Sequence, residues 1–266
     1  AAKAGHTGPL DPLASGLLPL CYGEATKVSQ FLLGADKAYR ARARLGITTS
    51  TGDSEGEVLR ARPVAVDAAR LAAALAAHTG DLLQVPPMYS ALKQGGERLY
   101  ALARRGETVE RPARPVHVSR IELLEFDKSG FEVELDCSKG TYVRSLIEDI
   151  GEALGCGAHI TALRRLRVGA LDVRQAVDLE RLRALAAQAP TALDACLIPI
   201  ADALAPLPQL ELAPPEAASL QRGQAPTLPP PPAAGAGAVV TQRRQLVGLA
   251  ESPAGPVLPR RLGSVE

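Results

Sequence analysis

A chain of 266 residues with a formal net charge of +1 has room for one large domain and a small one, or for two medium domains. Hydrophobic residues make up 46% of it and charged residues 22%, so a sizeable core is expected. The balanced charge excludes a strongly basic tail, although a basic face offset by acid elsewhere would still suit nucleic acid.

Cysteine usage and hydropathy limit the class of protein further. The four cysteines show no CxxC pair and no metal-ligand spacing with the four histidines, which predicts reduced thiols, with Cys137 and Cys156 in the core. No apolar run approaches the roughly 20 residues that a membrane helix needs. No signal peptide is visible, so we expect a cytoplasmic protein without a membrane partner.

The segment GHTGPLDPLASGLLP, residues 5–19, presents one carboxylate, Asp11, in an otherwise nearly uncharged loop. One interpretation is structural: Asp followed by Pro often begins a helix, with Asp as N-cap and Pro at the first position. The other is functional: a stiff loop with glycines at special backbone positions presents an acid to a substrate. Both can hold together. The three glycines are Gly5, Gly8 and Gly16.

Residues 37–47, KAYRARARLGI, alternate between small or apolar side chains and arginines, which predicts a strand with a basic outer face. Tyr39 lies on the small-residue face of this strand. The sequence favours two interpretations about equally: its ring packs in the core, or it leaves space above the sheet for a flat partner. The following TTSTGDSEGEV has the composition of a turn that leads into another short strand.

The middle of the chain mixes strands and helices. Residues 67–78 predict a helix capped by Asp67 and stopped by a glycine. Residues 114–124 and 131–137 predict strands, and 143–154 and 178–188 predict helices. Strand-to-strand connections with separate helices favour an α+β sheet over a doubly wound one.

Two further segments carry candidate site residues. SKGTYVR, residues 138–144, puts Lys139, Tyr142 and Arg144 at a strand-to-helix junction, where either an anion site or a solvated basic turn is expected. HITALRRLRVG, residues 159–169, sets Leu163 beside a basic edge. No phosphate-binding loop, dinucleotide fingerprint, zinc-protease or serine-hydrolase motif is present in the sequence.

The composition changes near residue 205. Prolines cluster after this point, and PPPPAAGAGA predicts a loop or flexible insertion. The remaining tail has the short strands and tight turns of a small β-rich module. We therefore predict one domain over 1–204 and a second over 205–266.

Together, these segments resemble one family. GHTGPLDPLASGLLPLCYGEATK resembles the signature of the TruB-type tRNA pseudouridine synthases, which isomerise uridine 55 in the T-loop of tRNA. The resemblance continues in order through KAYRARARLG, PPMYSALKQGGERLYALARRG, CSKGTYVRSLIEDIGEALGCGAH and TALRRL. It is close from residue 5 to about residue 170 and fainter beyond.

The resemblance implies a pseudouridine-synthase mixed sheet with flanking helices, followed by a small PUA-like β domain. The catalytic aspartate of the family corresponds to Asp11, and the arginine that pairs with it to Arg144. Tyr39, which would also take part in catalysis, corresponds to the tyrosine of the substrate pocket. The remaining implied substrate-binding residues are His6, which would help open the target loop, and Tyr142 and Leu163, which would line the pocket.

The implied reaction breaks the N1–C1′ bond of uridine, turns the base and joins C5 to C1′. Asp11 would either attack C1′ or remove a C2′ proton, with Arg144 keeping it ionised. An isomerisation of this kind requires no metal, nucleotide or redox cofactor. The partner would be tRNA, whose target base is flipped out at a cost that stacking and phosphate contacts offset. The arginines of strand 37–44 and edge 164–167 would make such contacts.

Two alternatives and one departure accompany this resemblance. A tRNA-binding chaperone would keep the fold without needing catalysis, and a guide-RNA-dependent relative of the dyskerin type would share the aspartate motif. The PPMYSALKQGGERLY segment and the short tail favour the stand-alone bacterial form, which we expect to be a monomer. The family's N-terminal strand with a Lys-Pro motif has no counterpart here, so we expect that segment to be missing.

Overall fold

The computed structural model describes residues 3–222, 224, 238–242, 245–251 and 258–261. The strands are β1 (Ala4–His6), β2 (Ala14–Gly16), β3 (Leu20–Tyr22), β4 (Lys37–Leu45), β5 (Ile47–Thr49), β6 (Val58–Ala61), β7 (Gly80–Gln84), β8 (Lys93–Gln94), β9 (Glu97–Arg98), β10 (Arg114–Phe126), β11 (Gly130–Cys137), β12 (Ala158–Val168), β13 (Leu171–Asp172), β14 (Gln209–Glu211), β15 (Ala238–Gln242), β16 (Gln245–Glu251) and β17 (Leu258–Arg261). The helices are α1 (Ser29–Gly34), α2 (Ala68–Ala77), α3 (Leu99–Arg104), α4 (Val143–Ala153), α5 (Leu179–Gln188), α6 (Ile200–Ala203) and α7 (Pro214–Gln221). Within these described ranges, no helix is both long and apolar enough to cross a bilayer.

Residue contacts divide the chain into two units. The first comprises residues 1–9, 18–34 and 168–266, and the second residues 10–17 and 35–167. The second unit contains five of the six candidate site residues. His6 belongs to the first.

The second unit is built on a sheet with the strand order β12-β4-β11-β10-β7. The β4–β11, β11–β10 and β10–β7 pairs are antiparallel, whereas β2 adds to β12 in parallel. This mixed, largely antiparallel sheet confirms the predicted α+β class. The hairpin of β5 and β6 confirms the predicted turn into a short strand.

The register of β4 against β11 explains the two faces of the sheet. Ala41 lies opposite Val133 and Ala43 opposite Phe131, so apolar side chains meet on one face. The other face pairs Arg40 with Glu134. The predicted alternation is therefore confirmed, and the arginines point away from the core.

Helices α2 and α4 supply the rest of the core. Asp67 caps α2 by accepting from the Arg70 backbone N–H at 2.8 Å, as predicted. Ile147 and Ile150 of α4 are fully buried and join Leu71 of α2 in one cluster with the apolar face of the sheet. The apolar residues that recur at helical spacing along α4 are therefore the ones buried against the sheet.

The predicted core cysteines are confirmed. Cys137 and Cys156 are each 2% exposed and unbonded to another cysteine. Burial raises the pKa of the Cys137 thiol to about 12, so this thiol stays protonated.

In the first unit, β1 pairs antiparallel with β3. Helix α5 begins after Asp178, which accepts from the Arg181 N–H, and this confirms the predicted helix over 178–188.

A second sheet of the first unit has the order β14-β15-β16-β17, so the tail contains the expected short strands. Helix α7 was not expected there; its proline-initiated PPEAASLQ stretch forms two helical turns. All but the last residue of the predicted PPPPAAGAGA insertion lies outside the described residues. The domain boundary near 205 stays a prediction.

Candidate active site

The aspartate loop is a turn that leads into a strand. The Ala14 N–H donates to the Asp11 carbonyl at 2.8 Å, which closes a four-residue turn with Pro12 at its second position. The chain then enters β2, which pairs in parallel with Leu163–Arg165 of β12. The helix-cap interpretation of Asp11 is therefore wrong, because pairing with β12 draws the chain into an extended conformation immediately after the turn.

The backbone at position 16, five residues after Asp11, can accommodate only a glycine. It has a φ of +99°, and a Cβ added there would lie 2.3 Å from the Arg165 carbonyl oxygen. The next residue, Leu17, donates its N–H to that same carbonyl at 2.9 Å. The close approach of two backbones thus requires glycine here, whereas Gly5 has open space around its Cα.

Arg144 is the centre of the site. It lies in the first turn of α4 and its side chain is only 5% exposed, whereas that of Asp11 is 38% exposed. Its Nε donates to Asp11 Oδ2 at 2.9 Å, while Nη1 donates to the Thr51 carbonyl and Nη2 to the Tyr89 carbonyl, each at 2.8 Å. The planar guanidinium is held on three sides, and this fixes the direction in which it meets the carboxylate.

Asp53 is a neighbour of this pair that the sequence did not single out. Its side chain is 5% exposed, and its Oδ2 lies 3.8 Å from Arg144 Nη1. The Glu55 N–H donates to Asp53 Oδ1 at 3.1 Å, and the Thr51 hydroxyl donates to the same oxygen. An acid inside the glycine-containing turn TGDSEG is the signal that could have suggested it.

Glu148 of α4 covers the same turn. A Cβ added at Gly52 would lie 2.8 Å from Glu148 Oε2, so the carboxyl group rests directly on the Gly52 backbone. Burial, reinforced by the charge of Asp149, raises the pKa of Glu148 to about 7. The turn that supports Arg144 therefore carries a second, easily neutralised acid.

Tyr39 is half-buried on the apolar face of β4 and packs against the core. Burial raises the pKa of its phenol and the charge of Asp11 raises it too, whereas the charge of Arg165 lowers it.

Tyr142 immediately precedes α4. Its N–H donates to Gln84 Oε1 at 2.8 Å, and Gln84 Nε2 donates to its carbonyl at 3.1 Å. Gln84, 4% exposed on β7, therefore fixes this backbone from both sides, a role that the sequence did not indicate. Burial raises the pKa of the Tyr142 phenol, and the charge of Asp11 raises it further.

Leu163 and His6 complete the candidate set. Leu163 is 6% exposed within the core cluster and lies opposite Ala14 of β2. His6 lies exposed on β1 of the first unit, where its Nδ1 accepts from the Gly8 N–H at 3.3 Å. In the second unit the structure thus joins Asp11 to Arg144, sets Tyr142 directly before the helix of Arg144, and packs Tyr39 and Leu163 in one core cluster.

The predicted basic edges are only partly available to RNA. Strand alternation leaves Arg164 exposed but turns Arg165 inward, where it is 2% exposed. Arg167 pairs with Asp136 at 2.7 Å. Arg40 is 3.3 Å from Glu134, because the acidic face of β11 lies beside the basic face of β4.

Among the described residues, no group of three or more His, Cys, Asp or Glu side chains is arranged to hold a metal ion. The polar side chains of the site are organised around one arginine and the oxygens that surround it. Such an arrangement can orient a carboxylate toward a substrate.

Comparison with known proteins agrees with this arrangement of motifs. Residues 1–143 match the family model described as the N-terminal domain of TruB family pseudouridylate synthases. Residues 144–205 match that of the tRNA pseudouridylate synthase B C-terminal domain. Together the two models cover most of the chain.

Curated relatives match over almost the whole chain. A protein of Stutzerimonas stutzeri named tRNA pseudouridine synthase B is 50% identical over 264 residues, which cover 98% of this chain and 87% of the relative. A protein of Pseudomonas aeruginosa with the same name shows the same identity and coverage. One from Sodalis glossinidius is 49% identical over 268 residues, which cover 98% of this chain and 86% of the relative.

Solved structures show the same fold. A chain of the structure described as a Cbf5-Nop10-Gar1 complex superposes with a TM-score of 0.73 at 26% identity, covering 99% of this chain and 75% of that one. A chain from an H/ACA RNP bound to a substrate RNA reaches a TM-score of 0.75 at 23% identity, covering 99% and 77%, and shows the fold alone. By its family models and curated relatives, the chain belongs to the TruB family of pseudouridylate synthases.

Proposed function

We propose that this protein isomerises uridine 55 of tRNA to pseudouridine in the T-loop. The observation that carries the proposal is the buried Arg144, which holds the half-exposed Asp11 in an ion pair of 2.9 Å at the start of the helix that follows Tyr142. The substrate is supported by relatives that are 50% identical to this chain and are named tRNA pseudouridine synthase B.

Asp11 acts at the sugar. Its carboxylate either attacks C1′ or removes the C2′ proton, so that the N1–C1′ bond breaks and the uracil leaves. With a side chain 38% exposed, Asp11 keeps a face open to a substrate while Arg144 contacts the other. The guanidinium positions this carboxylate and compensates its charge when RNA excludes water.

The remaining side chains handle the base. Tyr39 stacks on the uracil and takes the C5 proton after the base has turned, while Tyr142 and Leu163 line the pocket. His6 helps to displace the target nucleotide from its folded loop. Flipping the base costs a few kcal/mol, which stacking and phosphate contacts offset.

Other parts of the chain bind the rest of the tRNA. The exposed arginines Arg42, Arg44 and Arg164 contact phosphates, and the predicted PUA-like domain over 205–266 adds affinity. The catalytic domain over 1–204 carries the chemistry. The protein acts as a cytoplasmic monomer that needs no metal or organic cofactor.

Two other functions make different predictions. A guide-RNA-dependent enzyme of the dyskerin type would be inactive on tRNA without added guide RNA. Identity near 50% to proteins named tRNA pseudouridine synthase B, against 26% to a chain of the Cbf5-Nop10-Gar1 complex, favours the stand-alone enzyme. A pure tRNA chaperone would remain functional when Asp11 is neutralised.

The test is tritium release from tRNA labelled at C5 of uridine, with no guide RNA present. The wild type is expected to release tritium from a T-loop substrate, and Asp11→Asn to be slower by about 10³-fold or more. Asp194→Asn, which neutralises an exposed aspartate in the first unit, is the matched control and should behave as wild type. No release by the wild type, or equal release by Asp11→Asn, contradicts the proposal.

A further inference from the structure

Glu148 is an acidic side chain that lies one helical turn beyond Arg144 on α4. Residues four positions apart share one face of a helix, so both side chains meet the turn that contains Gly52. A Cβ added at Gly52 would lie 2.8 Å from Glu148 Oε2 and 2.9 Å from Cδ, which places the carboxyl group against this backbone. Among the described residues, the Glu148 carboxyl group has no hydrogen bond and no ion pair. Its contact with the turn is therefore one of packing.

Gly52 lies between two contacts of Arg144. On one side of it, the Thr51 carbonyl accepts from Arg144 Nη1 at 2.8 Å. On the other side, the Asp53 carboxylate lies 3.8 Å from the same nitrogen. The Gly52 N–H already donates to a carbonyl within the turn, at 3.3 Å, so it does not bind the Glu148 carboxyl group. A movement of Gly52 would therefore change both contacts that hold Arg144 from this side.

The charges around the turn leave a carboxylate at position 148 unbalanced. The buried guanidinium of Arg144 already meets two acids, Asp11 at 2.9 Å and Asp53 at 3.8 Å. The charged groups that act on Glu148 come from its own helix and from the turn, and they are Asp149, Arg144, Asp53 and Glu152. Three acids thus act on Glu148 against one cation, and that cation already has other partners.

We propose that Glu148 is a positioning residue for Arg144. Its neutral carboxyl group packs against the turn at Gly52, whereas its ionised form repels Asp53 and draws the guanidinium of Arg144 away from Asp11. The inference rests on the proposed function, in which the Asp11–Arg144 pair acts at the sugar. It adds to that pair a side chain that touches neither Asp11 nor the substrate.

The expected pH dependence follows from the burial of this acid. Burial, reinforced by the charge of Asp149, raises the pKa of Glu148 to about 7. Below this pH the neutral group leaves the guanidinium of Arg144 to its two acids. Above it, a third anion competes for the same cation. A misplacement of about 1 Å can slow a reaction about 100-fold, so a partial shift of Asp11 should slow it about 10-fold.

The experiment compares Glu148→Gln with wild type in single-turnover tritium release at saturating tRNA, at pH values on both sides of about 7. Glutamine keeps the size of the neutral side chain and cannot ionise. Wild-type release should fall about 10-fold from the acidic to the alkaline side, whereas Glu148→Gln should match wild type on the acidic side and keep its rate on the alkaline side. Glu180→Gln, which neutralises an exposed glutamate of α5, is the matched control and should follow the wild-type profile.

A second variant separates positioning from a general structural defect. The charge of Asp149 raises the pKa of Glu148, so Asp149→Asn should lower this pKa and move the fall in release to lower pH. In the double variant with Glu148→Gln the fall should be absent. Side-chain ¹⁵N NMR of the free protein follows Arg144 without any substrate. Its Nε–H signal should titrate with a midpoint near pH 7 in wild type and stay constant in Glu148→Gln.

The inference is overturned if Glu148→Gln shows the same fall in release above pH 7 as wild type. A wild-type Arg144 signal that does not titrate also overturns it, whether or not the protein is active. If Glu148→Gln does not fold, Asp149→Asn decides, and a fall in release at the wild-type pH counts against the inference. A wild type that releases no tritium while its Arg144 signal titrates contradicts the proposed function instead. The two failures are therefore distinguishable.

Discussion

Arg144 makes contacts in a buried part of the site and in a half-exposed part. We predict that its buried contacts contribute to both stability and activity, whereas its contact with Asp11 contributes mainly to activity. At the buried end the guanidinium meets Asp53 and the carbonyls of Thr51 and Tyr89. At the other end it meets Asp11, whose side chain is 38% exposed. The two perturbations are Arg144→Met and Asp11→Asn.

The structure gives different magnitudes for the two variants. Arg144→Met removes a cation whose side chain is 5% exposed. It leaves the Asp53 carboxylate, whose side chain is also 5% exposed, as an uncompensated charge. Removing one partner of a buried ion pair costs about 3–5 kcal/mol of unfolding free energy. Asp11→Asn leaves Arg144 its other partners, and a half-exposed ion pair contributes roughly 1 kcal/mol or less.

The assay is urea unfolding of each variant, combined with single-turnover tritium release. Both variants should lose nearly all activity, but only Arg144→Met should lose several kcal/mol of stability. Arg174→Met, whose side chain is 85% exposed in its pair with Asp172, is the control for losing a surface cation and should stay within about 1 kcal/mol of wild type. Equal destabilisation by Arg144→Met and Asp11→Asn would refute the reasoning, as would an Arg144→Met variant as stable as wild type.

Three further predictions address the support of the site. Gly16→Ala should cost about 1–3 kcal/mol and most of the activity, since its Cβ would lie 2.3 Å from the Arg165 carbonyl; a wild-type Tm would contradict this. Relative to wild type, Glu148→Gln should gain about 1–3 kcal/mol of unfolding free energy as pH rises from about 4.5 to about 7. The raised pKa of Glu148 stabilises the protonated native state of the wild type at low pH, and the wild type loses this stabilisation as pH rises through about 7. Unfolding curves that show no pH dependence of this difference would contradict it. Gln84→Met should leave both the Tyr142 N–H and the Tyr142 carbonyl without their partner and raise the KM for tRNA; a wild-type KM would count against the contact.

Much of the fold could be predicted from local periodicity. Alternation along β4 and β11 identified the buried face of the sheet, and helical spacing identified the buried side of α4. These patterns are readable because burial against a common core imposes period 2 on strands and 3.6 on helices. Helix α7 was missed because a proline-rich, alanine-rich segment carries no amphipathic period.

The conformation after Asp11 was decided by a partner that sequence does not reveal. Asp-Pro suits a helix start and a turn about equally, and neighbouring residues did not separate the two. Pairing of β2 with β12, about 150 positions further along the chain, selected the turn and the strand. Local propensity was outweighed by hydrogen bonds to a distant backbone.

By itself, the sequence determined the class of fold, the faces of its main strands and helices, and the motifs that resemble one family of enzymes. Tertiary structure alone decided that Arg144 meets Asp11 across 133 positions, that Asp53 and Gln84 support the site, and that Arg165 turns inward while Arg164 stays exposed. The physical reason is that periodicity states which side of an element is buried, whereas an ion pair or hydrogen bond depends on which elements become neighbours. That depends on sheet order and register, which join residues far apart in the chain.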